Sequence, residues 1–190
     1  MNCMIMKDQS LERSDVLAKL TDSAALLERS VDVRLIPEKG LCFGYAINGA
    51  RDKNGVAAIT VGIIRDHGKP YASGPCAFGA DEGVAQIVLT LMKFDPHMRC
   101  VATLRFSRNL LEVIESLLLE CTSFDSASKP PGISSMDWGI ASCCKEGVPD
   151  ACYEKDRSGK ETIIHFFGED PTDVTNNIIM LSNRIINIEL

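Results

Sequence analysis

The chain has 190 residues, 45% of them hydrophobic, and a formal net charge of −6, which suits one domain with a sizeable core. The acidic balance and the scattered basic residues give no support for a nucleic-acid surface on this chain by itself. No apolar run approaches the roughly 18 residues of a membrane span, and the eight cysteines form no C-x-x-C pair of a zinc ribbon.

Residues 10–30 read as one helix, with Leu11, Leu17, Leu20, Ala24 and Leu27 as its buried face and Glu12, Arg13, Lys19, Asp22 and Arg29 outward. One helix is too little for a helix-turn-helix. Met1 to Met6 is an apolar cluster without an h-region of signal-peptide length. Most cysteines sit among apolar residues, where a free thiol packs as a small hydrophobe. A reducing, cytoplasmic setting is the expectation.

Pro37-Glu38-Lys39-Gly40 is a turn, and residues 41–47 are a strand closed by Asn48-Gly49. Residues 56–65 are almost continuously apolar, the pattern of a strand covered on both faces. His67-Gly68-Lys69-Pro70 is a hairpin-like turn from which Tyr71 and Ala72 pair back. A glycine-rich turn over residues 74–83 then feeds a helix in which Val84, Ile87, Val88, Leu91 and Met92 share one face. A helix start after glycines is a site for a phosphate or carboxylate. Here Asp81 and Glu82 occupy the first turn, where two carboxylates satisfy the free N–H groups themselves. Asp95-Pro96 ends the helix.

Residues 99–106 are a strand. Residues 108–120 are an amphipathic helix with Leu111, Ile114, Glu115 and Leu118 one turn apart. A short strand at 121–124 precedes a loop rich in Ser, Lys, Pro and Gly. Residues 136–144 read as a short helix, and 149–153 and 162–167 as strands. The last helix has Asp170 as cap, Pro171 at its first position and Asp173 in its first turn. Strands alternating with helices make an α/β protein: one layered domain whose central mixed sheet is flanked by helices.

The chemistry-bearing residues leave alternatives open. His67, His97 and His165 share no ligand spacing, so no metal site is assigned. Cys143-Cys144 is either a redox pair or two buried helix residues. Gly159-Lys160-Glu161 is a turn whose lysine meets a phosphate, or a solvated hairpin tip; the Walker pattern is absent. Met136-Asp137-Trp138-Gly139 either walls a pocket or anchors a core at a helix start.

Over residues 36–187 these pieces occur in the order of a known family. Pro37-Glu38-x-Gly40 with Tyr45-Ala46 is followed by Asp52-x-x-x-Val56-Ala57-Ala58 and by Phe78-Gly79-Ala80. Ile87-Val88-Leu89-Thr90-x-Met92-Lys93-Phe94-Asp95-Pro96 and Arg99 come next. Ser135-Met136-x-Trp138-Gly139, Pro149-Asp150 and Gly159-Lys160-Glu161 close the series. In these stretches the chain resembles the ThiN-type thiamine-phosphate synthase domain of archaea and some bacteria. That family joins a pyrimidine diphosphate to a thiazole phosphate, giving thiamine phosphate and pyrophosphate. It occurs alone, fused to a pyrimidine kinase, or fused to a DNA-binding domain as a repressor.

The departures fall on polar positions. Gly62-Ile63-Ile64 stands where the family has Gly-Arg-Ile, and Asp81-Glu82-Gly83 stands where it has Ser-Ser-His. The family's catalytic Arg and His are thus matched by Ile63 and Gly83, with Arg65 the only nearby substitute. Leu41-Cys42 replaces a Ser-Asn pair, Thr103 an Asn, and Ser126 an Arg. The resemblance therefore implies no catalytic residues, and a ligand-binding or regulatory member of the family. The alternative is an active synthase using Mg²⁺. The implied ligand-binding residues are Phe78, Gly79, Ala80, Arg99, Arg105, Asp137, Trp138 and Lys160. A pocket is expected between the turn at 78–83, Asp137-Trp138 and the turn at 159–161. Residues 1–35 are expected to be an N-terminal helix and tail, and residues 36–190 the ThiN-like α/β domain. A small phosphorylated ligand and a homodimer are the expected partners, with no membrane.

Overall fold

The computed structural model describes residues 2–155 and 161–188. Helix α1 (Asn2–Ser30) leads through a short 3-10 turn to strand β1 (Phe43–Ala46) and then to β2 (Val56–Ile59). A hairpin follows, β3 (Gly62–Asp66) and β4 (Lys69–Ser73), then β5 (Cys76–Phe78) and α2 (Glu82–Phe94). The second half runs β6 (Cys100–Arg105), α3 (Arg108–Ser116), β7 (Cys121–Phe124), α4 (Ser135–Cys143), β8 (Ala151–Glu154), β9 (Ile163–Gly168) and α5 (Pro171–Ile188). Seven strands form one sheet in the order β5-β2-β1-β6-β9-β8-β7. Its pairs are antiparallel except β7 with β8, so the sheet is mixed. Among the described residues no helix is long and apolar enough to cross a membrane.

The strands send alternate side chains to opposite faces. Phe43 and Tyr45 of β1, Cys100, Ala102 and Leu104 of β6, and Ile164 and Phe166 of β9 face one core with α1, α3 and α5. Ala46, Val101 and Phe167 face the other core, covered by α2 and α4. Thr103 and His165 share the parity of Val101 and Phe167. The two strands therefore aim their polar residues at the α2 side.

Several expectations need correction. The apolar run at 56–65 is two strands. Gly62 has φ +95°, a left-handed value that an extended strand does not continue. Ile63 leaves the line of β2 and bridges to Leu41, with N–H···O bonds of 2.9 and 2.8 Å. The glycine-rich stretch contains an edge strand, β5, paired to β2. Leu11 is 69% exposed, whereas Val16 joins Leu20, Ala24 and Leu27 in the core. In α3 the buried residues are Leu110, Val113 and Ile114. The helix ends at Ser116, and Leu118 lies beyond it with φ 59°.

Helix α2 approaches the sheet closely because Gly44 of β1 has no side chain. A Cβ built there would overlap Val84 Cγ1 and sit 2.9 Å from the Ala57 carbonyl. Neither neighbour has room to retreat, since Val84 is a buried residue of α2 and Ala57 is buried in β2 and paired to β1. Gly44→Ala is expected to cost about 1–3 kcal/mol, the usual range for overpacking, read as a shift of the urea midpoint. A change below about 0.5 kcal/mol, the surface-substitution range, would show that α2 is not seated by this contact.

Candidate functional site

A cavity of about 570 Å³ opens where α2 begins, on the α2 side of the sheet. Its apolar wall is Val84, Ile87 and Ile163, and its floor is Cys42, Thr103 and His165. The turn Pro37-Glu38-Lys39-Gly40 forms one rim, and Asp81, Gly83 and Glu161 complete it. The floor is locked by backbone pairing. Thr103 Oγ1 accepts from the Cys42 N–H at 2.8 Å, and the Thr103 N–H donates to the Cys42 carbonyl at 2.9 Å. His165 is 6% exposed.

Two carboxylates each accept from a backbone donor at this rim. Asp81 is the N-cap of α2, and its Oδ1 accepts from the Val84 N–H at 3.0 Å. Glu161 Oε2 accepts from the Glu38 N–H at 2.8 Å. Glu82 behaves differently from the expectation: its side chain is 84% exposed and lies 3.6 Å from Lys53, so Asp81 alone caps the helix by a side-chain bond. Glu38, Asp81 and Glu161 make the rim acidic against one cation, Lys39. Burial, then the charge of Asp81, pushes the Cys42 thiol up to about 11, which keeps it protonated and unsuited to nucleophilic attack at neutral pH.

A second cavity of about 560 Å³ adjoins the first across Glu38 and Glu161 and is lined also by Arg65, Arg105, Phe106 and Thr162. Arg105 Nε is 3.1 Å from Glu161 Oε1. The cations therefore gather beside the acidic cavity, not inside it.

Of the residues expected from sequence, Gly83 lines the first cavity and Arg105 the second. Ile63 is fully buried in the α1-side core. Phe78 lies under the Arg13 guanidinium, 3.7 Å from its ring centroid. The Gly79 N–H is bonded to the Val56 carbonyl, and Ala80 packs on the α2-side core. Arg99 is at the opposite end of β6 from Thr103, bonded to the Ala46 carbonyl and the Tyr45 hydroxyl. Asp137 accepts from Gln86 at 2.8 Å and Thr90 at 3.2 Å, joining α4 to α2. Trp138 packs edge-on against Phe124. Asp137 and Trp138 thus stand apart from both cavities, and the expected pocket has Pro37–Gly40 and β9 as walls in their place. Lys160 lies outside the described residues. His165, which with His67 and His97 shows no ligand spacing in the sequence, lies on the floor of the first cavity because it alternates with the α1-side Ile164 and Phe166. Among the described residues no group of three or more His, Cys, Asp or Glu is placed to hold a metal ion.

Cys143 and Cys144 close α4 away from these cavities. Cys144 is buried, whereas Cys143 is only partly so. A hydrogen bond from the Cys152 thiol lowers the Cys143 thiol to about 7; burial raises Cys144 to about 11. In a Cys3→Ser background, Cys143 should therefore react with an aromatic disulfide reagent far ahead of the other described thiols. Its rate should climb with pH and level above about 7, because a lowered pKa populates the thiolate early. Cys143→Ser should remove the fast phase, and Cys152→Ala should move its midpoint upward. A fast phase that survives Cys143→Ser would refute the assignment.

Comparison with known proteins gives these features a family. The family model for thiamine-phosphate synthase ThiN matches residues 19–180. The bifunctional thiamine biosynthesis protein ThiDN of Methanocaldococcus jannaschii is 31% identical over 88% of this chain, which spans only 40% of that protein's length. Thiamine-phosphate synthase ThiN of Methanothermobacter thermautotrophicus is 24% identical over 79% of this chain and 83% of its own. A crystal structure of the C-terminal domain of a phosphomethylpyrimidine kinase superposes with a TM-score of 0.83 at 31% identity, covering 90% of this chain and all of that one. With most of its length matched by the family model and the same fold in a relative above 30% identity, the chain belongs to the ThiN thiamine-phosphate synthase family.

Proposed function

We propose that this chain is a ligand-binding ThiN domain that takes up thiamine phosphate, or a closely related phosphorylated ligand, without carrying out the condensation. The observation that carries the reading is Asp81 seated on the N-terminus of α2, where an incoming phosphate would otherwise find free N–H donors. The positions matched to the family's cations support it. Ile63 is sealed in the core. Its neighbour Gly62 has a left-handed φ, and a Cβ there would lie 2.6 Å from the Leu41 carbonyl. Gly83 offers no side chain. Condensation needs cationic donors to hold departing pyrophosphate, and the first cavity offers Lys39 alone.

Binding is favoured by the shape and charge of the same cavity. Its volume of about 570 Å³ suits a small heteroaromatic ligand. Its carboxylates complement the cationic thiazolium ring of thiamine phosphate, with Arg105 and Arg65 next door for the phosphate. Titration calorimetry should show saturable binding of thiamine phosphate. Gly83→Phe, which fills the mouth where an added Cβ meets only Asp81 Oδ1 at 3.4 Å, should weaken it at least about tenfold. No saturable binding by the wild type at millimolar ligand would overturn the reading.

A further inference from the structure

We propose that the second cavity is an anion subsite for a phosphoryl or diphosphate group, and that the Glu161 carboxylate fills it in the free protein. The inference rests on the ligand-binding reading above and identifies where the anionic end of such a ligand goes. Glu161 spans both cavities. Its Oε1 is 3.1 Å from Arg105 Nε, and its Oε2 accepts from the Glu38 N–H at 2.8 Å. A guanidinium and a backbone N–H converging on two oxygens of one anion is the donor set that binds a phosphoryl group. Arg65 lines the same cavity and makes no ion pair with the described residues, so one cation stands ready beside the pair.

The geometry also explains how the subsite opens. The Glu161 side chain is 20% exposed and that of Arg105 is 47% exposed, so the pair is open to solvent on the arginine side. A diphosphate approaching Arg65 replaces one carboxylate with a group of higher charge. Glu161 then needs only a side-chain rotation to leave, and no backbone element moves. Glu38, which lines both cavities, stays at the rim, and its negative charge limits affinity for small anions.

Calorimetry with inorganic pyrophosphate at fixed ionic strength tests this on the full chain. Glu161→Gln should tighten pyrophosphate by about tenfold, because it removes the resident charge and releases Arg105. Adding Arg105→Gln or Arg65→Gln to that variant should erase the gain. Glu161→Ala provides the same test should Glu161→Gln unfold, with circular dichroism confirming the fold of each protein. Equal affinity in wild type and both Glu161 variants would overturn the proposal. So would a gain that persists without the arginines, since the anion would then sit elsewhere. Either failure would leave thiamine phosphate binding in the first cavity standing, whereas loss of that binding in the wild type would strike the parent reading.

Discussion

Purified protein supplied with the pyrimidine diphosphate, the thiazole phosphate and Mg²⁺ is expected to form thiamine phosphate at least about 10⁴-fold more slowly than a competent family member. Each lost donor to a developing anion costs about 10²–10³ in rate, and the proposed reading takes Ile63 and Gly83 to stand in place of two family cations. Lys39 is the one Lys or Arg among the described residues lining the first cavity. Ile63 is fully buried between β4 and the Leu41 segment. Arg65, two residues on, projects into the second cavity, where Glu161 already neutralises Arg105. His67 stands at the exposed tip of the β3–β4 hairpin beside Asp66. Turnover within tenfold of an ordinary family member would overturn this and place the missing cation on Arg65 or His67. Arg65→Gln and His67→Gln would then separate those two by which one abolishes the rate.

Much of the fold is legible because each face announces itself locally. Asp170 and Pro171 mark the start of α5, and the Asp170 carboxylate does accept from the Thr172 N–H. The 3.6-residue spacing of Val84, Ile87, Val88 and Leu91 gives the buried stripe of α2. The break after Ile59 was not legible: Thr60 is the single polar residue between Val56 and Ile64 and is itself a common strand residue, and the left-handed φ of Gly62 is what separates two strands from one. The one-residue error in the α3 face has the same origin, since Leu110 and Leu111 are equivalent by composition. The cavity was less legible still. Glu38 and Glu161 meet across 123 positions and Cys42 and Thr103 across 61, and no local pattern encodes such pairings. What sequence did supply was the acidic first turn of α2, and there it could not tell which of two adjacent carboxylates turns inward.

That distinction sets the expected result of replacing them. Measured in the Arg105→Gln background, which removes the second cavity's anion subsite, Asp81→Ser should tighten pyrophosphate by about 10–100-fold, while Glu82→Ser should leave it unchanged within about twofold. Asp81 Oδ1 lies on the Val84 N–H, in the position a phosphate oxygen would take, and its charge adds to that of Glu38 and Glu161 at the rim. A unit charge about 4 Å away is worth up to about 4 kcal/mol near a protein surface; the cavity is open to water, so about 1–3 kcal/mol is the expected gain. Serine remains a good N-cap, so the helix itself should lose no more than about 0.5 kcal/mol. Glu82 points away toward Lys53 with most of its surface in water, where its field is screened. Unphosphorylated thiamine supplies the opposite control. It carries the cationic ring without a phosphate, so removing the Asp81 charge should weaken its binding. Titration calorimetry of the three proteins with both ligands decides the matter. Tight binding of pyrophosphate in the Arg105→Gln background that ignores Asp81→Ser would mean that the carboxylate does not guard the helix N-terminus, and synthase chemistry at this site would again be the better reading.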